Sequence, residues 1–159
     1  MQRIQRAAGA VVGSAVGDAL GGAFKFGPQD AFSARFSAPG GGDEMRGGGD
    51  EMRGGGGRHP DQATELNGAV RPCLVSAAWA LRTTNSFDDA IRAAIDLGGD
   101  TDIVAAVTGG LARPYYGLDA IPTRWTRPLH VPLPGFDGRV LHLAGLLHLT
   151  HRLLVEGPR

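Results

Sequence analysis

The chain has 159 residues, 42% hydrophobic and 20% charged, the size and composition of about one globular domain and not of a disordered or fibrous chain. Lys plus Arg and Asp plus Glu balance at 16 each and the sequence pI is near 7.0, so bulk charge draws it neither to nucleic acid nor to an anionic membrane. Cys73 is the single cysteine and falls within an apolar helical pattern, which rules out a disulfide framework and predicts a buried thiol in a reducing cytoplasm.

Residues 4–24 are predicted as the first helix, with Ile4, Ala8, Val11, Val12, Ala15 and Ala19 giving the apolar stripe. Arg3 and Arg6 ahead of an Ala/Val/Gly run imitate a secretory signal or anchor. The run is poor in Leu, however, and Asp18 interrupts it before the roughly 18 apolar residues of a spanning helix, so no membrane association is expected. Gly9, Gly13, Gly17 and Gly21 recur every four residues and drift slowly along one helix face, where another helix can pack closely. Pro28 ends the pattern.

Residues 39–60 differ from the rest: Gly-Gly-Gly-Asp-Glu-Met-Arg at 40–46 is repeated unchanged at 47–53 and followed by Gly54 to Gly57, the composition of a flexible insert. An arginine-glycine tether for nucleic acid is disfavoured, because Asp43, Glu44, Asp50 and Glu51 outnumber Arg46 and Arg53 and no aromatic residue is interleaved for base stacking. A helix is predicted to begin at Pro72, with Leu74, Ala77, Ala78 and Leu81 on its apolar face. Ser86 reads as the N-cap of the next helix, with Asp88 and Asp89 in its first turn and Phe87, Ile91, Ala94 and Ile95 as its buried stripe.

Gly98-Gly99-Asp100-Thr101-Asp102 then leads into a helix over 103–112 and sets two carboxylates and a hydroxyl at a helix N-terminus. The glycines let the backbone bend and approach a ligand. Closely spaced Asp oxygens suit a hard cation such as Mg²⁺, and the same residues also serve as ordinary helix caps. The helix pairs an apolar face of Val104, Val107 and Leu111 with a small face of Ala105, Ala106, Gly109 and Gly110 that matches the glycine strip of the first helix; Pro114 is predicted to end it. Residues 122–134, with four prolines, read as an extended surface connection in which Trp125 packs. A last helix over 139–155 is predicted to bury Leu143, Leu146, Leu147, Leu153 and Leu154. It would carry His142, His148 and His151, read as exposed or hydrogen-bonded side chains, not metal ligands. No sustained strand alternation is present.

Residues 94–112, from Ala94 through Gly98-Gly99-Asp100-Thr101-Asp102 to Ala112, resemble the C-terminal metal motif of the ADP-ribosylglycohydrolase family, which includes the dinitrogenase reductase-activating glycohydrolases. Val16-Gly17-Asp18-Ala19-Leu20-Gly21-Gly22-Ala23-Phe24 resembles the family's opening helix, and Ile121-Pro122-Thr123-Arg124-Trp125 the segment after the metal helix. The resemblance implies an all-α helical bundle that places two Mg²⁺ ions in a cleft and cleaves ADP-ribose from a modified side chain. It makes Asp100 and Asp102 metal ligands, and Gly98, Gly99 and Thr101 the residues lining the substrate.

The chain departs from the family at three places. Ile103 stands where the family has a ligating Thr, Lys25 where it has a Glu, and no Thr-Asp-Asp triplet occurs. The duplicated Met-Arg-Gly-Gly-Gly stretch runs through Arg58-His59-Pro60 into sequence resembling a later region, which implies one incomplete domain over 1–159 with an internal deletion near His59. Two carboxylates compensate a pair of divalent ions poorly, so one Mg²⁺ or none is expected. No catalytic residue is assigned. The expectation is an impaired ADP-ribosyl hydrolase acting on ADP-ribose or ADP-ribosylated protein; the alternative is a non-catalytic helical module that binds ADP-ribose or a partner. Removed helices would leave apolar faces uncovered and favour self-association.

Overall fold

The computed structural model describes residues 2–36, 68–117 and 120–156, and the glycine-rich insert predicted at 39–60 lies outside them. The described elements are α1 (Gln2–Gly22), α2 (Ala31–Arg35), α3 (Val70–Thr83), α4 (Phe87–Asp96), α5 (Thr101–Tyr116), α6 (Thr123–Thr126), β1 (His130–Pro132), β2 (Val140–His142) and α7 (Leu143–Glu156). The fold is all-α apart from one small antiparallel hairpin. No helix among the described residues is long and apolar enough to cross a membrane.

The glycine strip of α1 decides how the bundle is built. Gly13 lies against Gly109, Gly17 against Ala105 and Gly21 against Thr101, so α1 and α5 run antiparallel in steps of one turn. A Cβ added at Gly13 would fall 2.9 Å from the Gly109 carbonyl carbon, and one at Gly17 would fall 2.9 Å from the Ala106 nitrogen. The two backbones touch, and no larger residue fits between them. This register carries the C-terminal end of α1 to the N-terminal end of α5.

Around that pair, Val12, Val16, Phe87, Ile91, Ile95, Leu97 and Val104 are fully buried and form one continuous core with Ala80, Ala94 and Ala105. Ser86 caps α4 as expected, its hydroxyl accepting from the Asp89 amide at 3.0 Å. The stripe Phe87, Ile91, Ala94 and Ile95 is buried, Cys73 is buried, and Trp125 packs on Phe87 with ring centroids 6.3 Å apart.

Several expectations need correction. α3 begins two residues before Pro72 and buries Cys73, Ser76, Ala77 and Ala80, whereas Leu74 is half exposed and Ala78 faces outward. The narrow space beside α5 takes the smaller side chains, with Cys73 Sγ 3.9 Å from the Ile103 carbonyl oxygen. α5 continues through Pro114 to Tyr116. Residues 122–134 are not wholly extended: they hold α6 and the strand β1. The last helix starts at Leu143, not at 139, since 140–142 pair with β1 in the register His130↔His142, Val131↔Leu141 and Pro132↔Val140. His142 therefore lies on a strand, where its Nδ1 sits 3.3 Å from the Leu129 carbonyl oxygen. Leu153, expected in the core, is exposed, as is Leu111 on the apolar face of α5.

Candidate functional site

The meeting of α1 and α5 brings the turn after one helix against the turn before the other. The Phe26 amide donates to the Gly99 carbonyl oxygen at 2.7 Å, and Gly98 packs on the backbone of residues 27–29. Gly98 and Gly99 have φ of 74° and 70°, the left-handed region that favours glycine, and this double turn swings the chain from α4 into α5. Asp96 at the end of α4 fixes the same loop from the other side. Its carboxylate accepts from the Ser33 amide at 3.0 Å and from the Ser33 hydroxyl, while its carbonyl oxygen accepts from the Asp30 amide at 2.9 Å.

The predicted site residues separate into two groups. Thr101 is fully buried, and its hydroxyl donates to the Gly21 carbonyl oxygen at 2.7 Å, so this side chain fastens α5 to α1 and faces inward. Gly98 is also buried. Asp100 and Asp102 turn the other way and converge, with side chains 20% and 19% exposed. Asp100 supplies the carbonyl that receives the first bond of α5, from the Val104 amide at 3.2 Å. Asp102 Oδ1 accepts from the Ile103 amide at 2.9 Å. Both carboxylates are compatible with the positive end of α5.

They converge on Lys25. Its Nζ lies 3.0 Å from Asp100 Oδ1 and donates to Asp102 Oδ2 at 2.9 Å. It also stands 5.2 Å from the centroid of the Phe26 ring. Bonds to Asp102 and then Asp100 raise the Lys25 ammonium above its usual 10.5. Partial burial pushes the Asp102 carboxyl up, but the Lys25 ammonium, followed by the Ile103 amide, outweighs it and holds the group below 3.8. Burial, and then the charge of Asp100, push the Cys73 thiol up, which is the behaviour of an inert thiol.

Two residues at this site escape sequence reasoning. Gly68 lies on Asp100, where an added Cβ would come 2.9 Å from the carboxyl carbon, and Gly21 lies on Asp102, where one would come 2.7 Å from its Cα. In sequence, Gly68 gives no signal beyond being glycine, and Gly21 is marked only as the last member of the helix-packing strip, not as a neighbour of Asp102. Lys25 is visible there as a cation, but its reach to residues 75 and 77 positions away is a property of the fold.

The match to known proteins covers residues 45–155, described as ADP-ribosylglycohydrolase, which is more than two-thirds of the chain. The chain belongs to the ADP-ribosylglycohydrolase family. An ADP-ribosylarginine hydrolase, Tri1, of Serratia proteamaculans (strain 568) is 46% identical over 59 residues, which is 37% of this chain and 16% of that protein. The corresponding protein of Pseudomonas putida (strain GB-1) is 42% identical over 59 residues, with the same shares. The human ADP-ribosylhydrolase ARH3 is 44% identical over 41 residues, 26% of this chain and 11% of that protein. The matched segments thus span no more than 16% of these relatives. No solved structure matches the chain.

Membership of this family raises the question of the two Mg²⁺ ions. Among the described residues no group of three or more His, Cys, Asp or Glu converges. The two aspartates share one ammonium, which leaves the three side chains a single negative charge to set against a divalent ion. A Mg²⁺ pair needs several carboxylates and near-octahedral oxygen donors. The described residues as arranged do not fit that pair.

Proposed function

We propose that this chain is an ADP-ribose-recognising member of the ADP-ribosylglycohydrolase family in which Mg²⁺-dependent hydrolysis of the ADP-ribosyl bond is impaired. The observation that carries this reading is the engagement of both Asp100 and Asp102 with Lys25. Carboxylates already compensated by an ammonium hold a metal weakly, while the glycine turn at the start of α5 still offers backbone close to a ligand, next to the positive end of a helix. Ile103 places an alkyl group, 38% exposed, beside the two aspartates and adds no oxygen donor. Because two of the relatives are ADP-ribosylarginine hydrolases, ADP-ribosylated arginine is the first ligand to try. The cytoplasm is the compartment that suits a lone buried cysteine.

The test follows release of ADP-ribose from ADP-ribosyl-arginine and ADP-ribosyl-serine in the presence of Mg²⁺, beside calorimetry with free ADP-ribose. Binding without appreciable turnover supports the reading. Rapid release that is abolished by Asp100→Ala overturns it. The second reading, a helical interaction module, is favoured by the large apolar side chains exposed on α3 and α7, among them Val70, Leu74, Leu153 and Val155. Absence of any ADP-ribose heat, together with self-association in sedimentation, selects that second reading.

A further inference from the structure

Lys25 is the single lysine of the chain, and it is spent at one point. Its Nζ has a carboxylate oxygen of Asp100 at 3.0 Å and one of Asp102 at 2.9 Å. A point so close to both carboxylates is where a small cation held by this turn gains the most electrostatic stabilisation. We infer that Lys25 is a built-in cation: its ammonium fills the position between Asp100 and Asp102, ties the loop after α1 to the start of α5, and keeps divalent ions out of the turn.

Three features deliver the ammonium to that position. The antiparallel α1–α5 contact ends at Gly21 and Thr101, so the chain leaving α1 passes over the start of α5. The Phe26 amide then bonds to Gly99, which anchors the residue next to Lys25 directly on the glycine turn. Phe26 itself adopts a φ of 59°, uncommon for a non-glycine residue, and its ring lies under the ammonium. A tethered ammonium also needs no capture from solution, whereas a strongly hydrated divalent ion must shed water and then meet a positive neighbour. The inference rests on the same Lys25 contacts as the proposed impairment and deepens it, while ADP-ribose recognition is tested separately by calorimetry.

The experiment compares the full chain with Lys25→Glu and Lys25→Met. Free Mn²⁺ is followed by electron paramagnetic resonance, and thermal unfolding is followed with Mg²⁺ or with a chelator. The wild-type chain is expected to leave the free Mn²⁺ signal undiminished and to melt at the same temperature in Mg²⁺ and chelator. Lys25→Glu replaces a positive charge with a third carboxylate. It is expected to melt lower in chelator, to recover in Mg²⁺, and to bind Mn²⁺ at least about tenfold more tightly than wild type. Lys25→Met is expected to melt lower than wild type and to take up Mn²⁺ more tightly than wild type, though less so than Lys25→Glu. Equal Mn²⁺ uptake by all three chains overturns the inference. Should Lys25→Glu not fold in either medium, Lys25→Met decides: tighter Mn²⁺ uptake than wild type supports the built-in cation, and unchanged uptake refutes it.

Discussion

The two ends of the α1–α5 contact are held by opposite means. Along the helices, at Gly13 and Gly17, backbone touches backbone and there is no side chain to rearrange. At the end, Lys25 reaches Asp100 and Asp102 through long, partly exposed side chains that can rearrange. The first region tolerates almost no change in volume and sets where everything else lies. The second contributes little to folding, because partly exposed ion pairs are screened by water and cost side-chain entropy, but it determines which charged species the turn accepts. Shape therefore belongs to the helix contact and chemistry to the turns at its end, and the two should respond differently to mutation.

The sharpest way to break the comparison is in the packed stretch. Gly17→Val is expected to destabilise the fold by about 3 kcal/mol or more, since neither backbone can yield to the added atoms. Gly22→Ala, on the same helix but with no atom within 4 Å of its added methyl, should leave stability within about 0.5 kcal/mol of wild type. Urea denaturation reads both, and equal losses would remove the distinction between touching and open glycines.

A smaller effect is expected at the joint between the regions. Thr101→Val keeps the volume and removes the bond to the Gly21 carbonyl oxygen, which also accepts from the Phe24 amide at 2.9 Å. A loss of about 1 kcal/mol in the same denaturation experiment is the expected result.

The smallest effect belongs to the ion pair and shows best against pH. Asp102 titrates below 3.8 in the folded chain, so its contribution is present above the unfolded value and is lost as pH falls through the lowered one. Lys25 titrates above 10.5, so its contribution is complete below that value and is lost as pH rises through the raised one. Stability arising from the pair is therefore flat through neutral pH and declines at both extremes. Lys25→Met should weaken both declines relative to wild type in melting curves collected across pH, and an unaltered profile would show that the pair carries no linkage.

What could be read from the sequence follows the same division. The close contact of α1 with α5 was legible because a missing side chain recurring every four residues is a local pattern with one geometric meaning. The cap at Ser86 and the stripe Phe87, Ile91, Ala94 and Ile95 were legible for the same reason. The three-residue strands of the hairpin are too short for alternation to register, so 140–142 were absorbed into the following helix. On α3 the helical pattern and the buried Cys73 are legible, but placing Leu74 and Ala78 on the buried face misses that Ser76 and Ala80 lie inward, because hydrophobicity alone does not reveal how narrow the space beside α5 is. At the site, the aspartates stood out by spacing and by family resemblance. The partnership with Lys25 depends on a register set by glycines elsewhere, and no local pattern encodes it.

The account depends most on the ammonium of Lys25 being held between the two carboxylates. As the chain has one lysine, ¹⁵N–¹H NMR tuned to side-chain ammonium groups reports on it without assignment ambiguity. A single slowly exchanging lysine signal at near-neutral pH, unmoved by Mg²⁺ and lost in the Asp100→Asn, Asp102→Asn double variant, is the predicted result. A signal lost to rapid solvent exchange in the wild-type chain, or one indifferent to removal of both carboxylates, would contradict it.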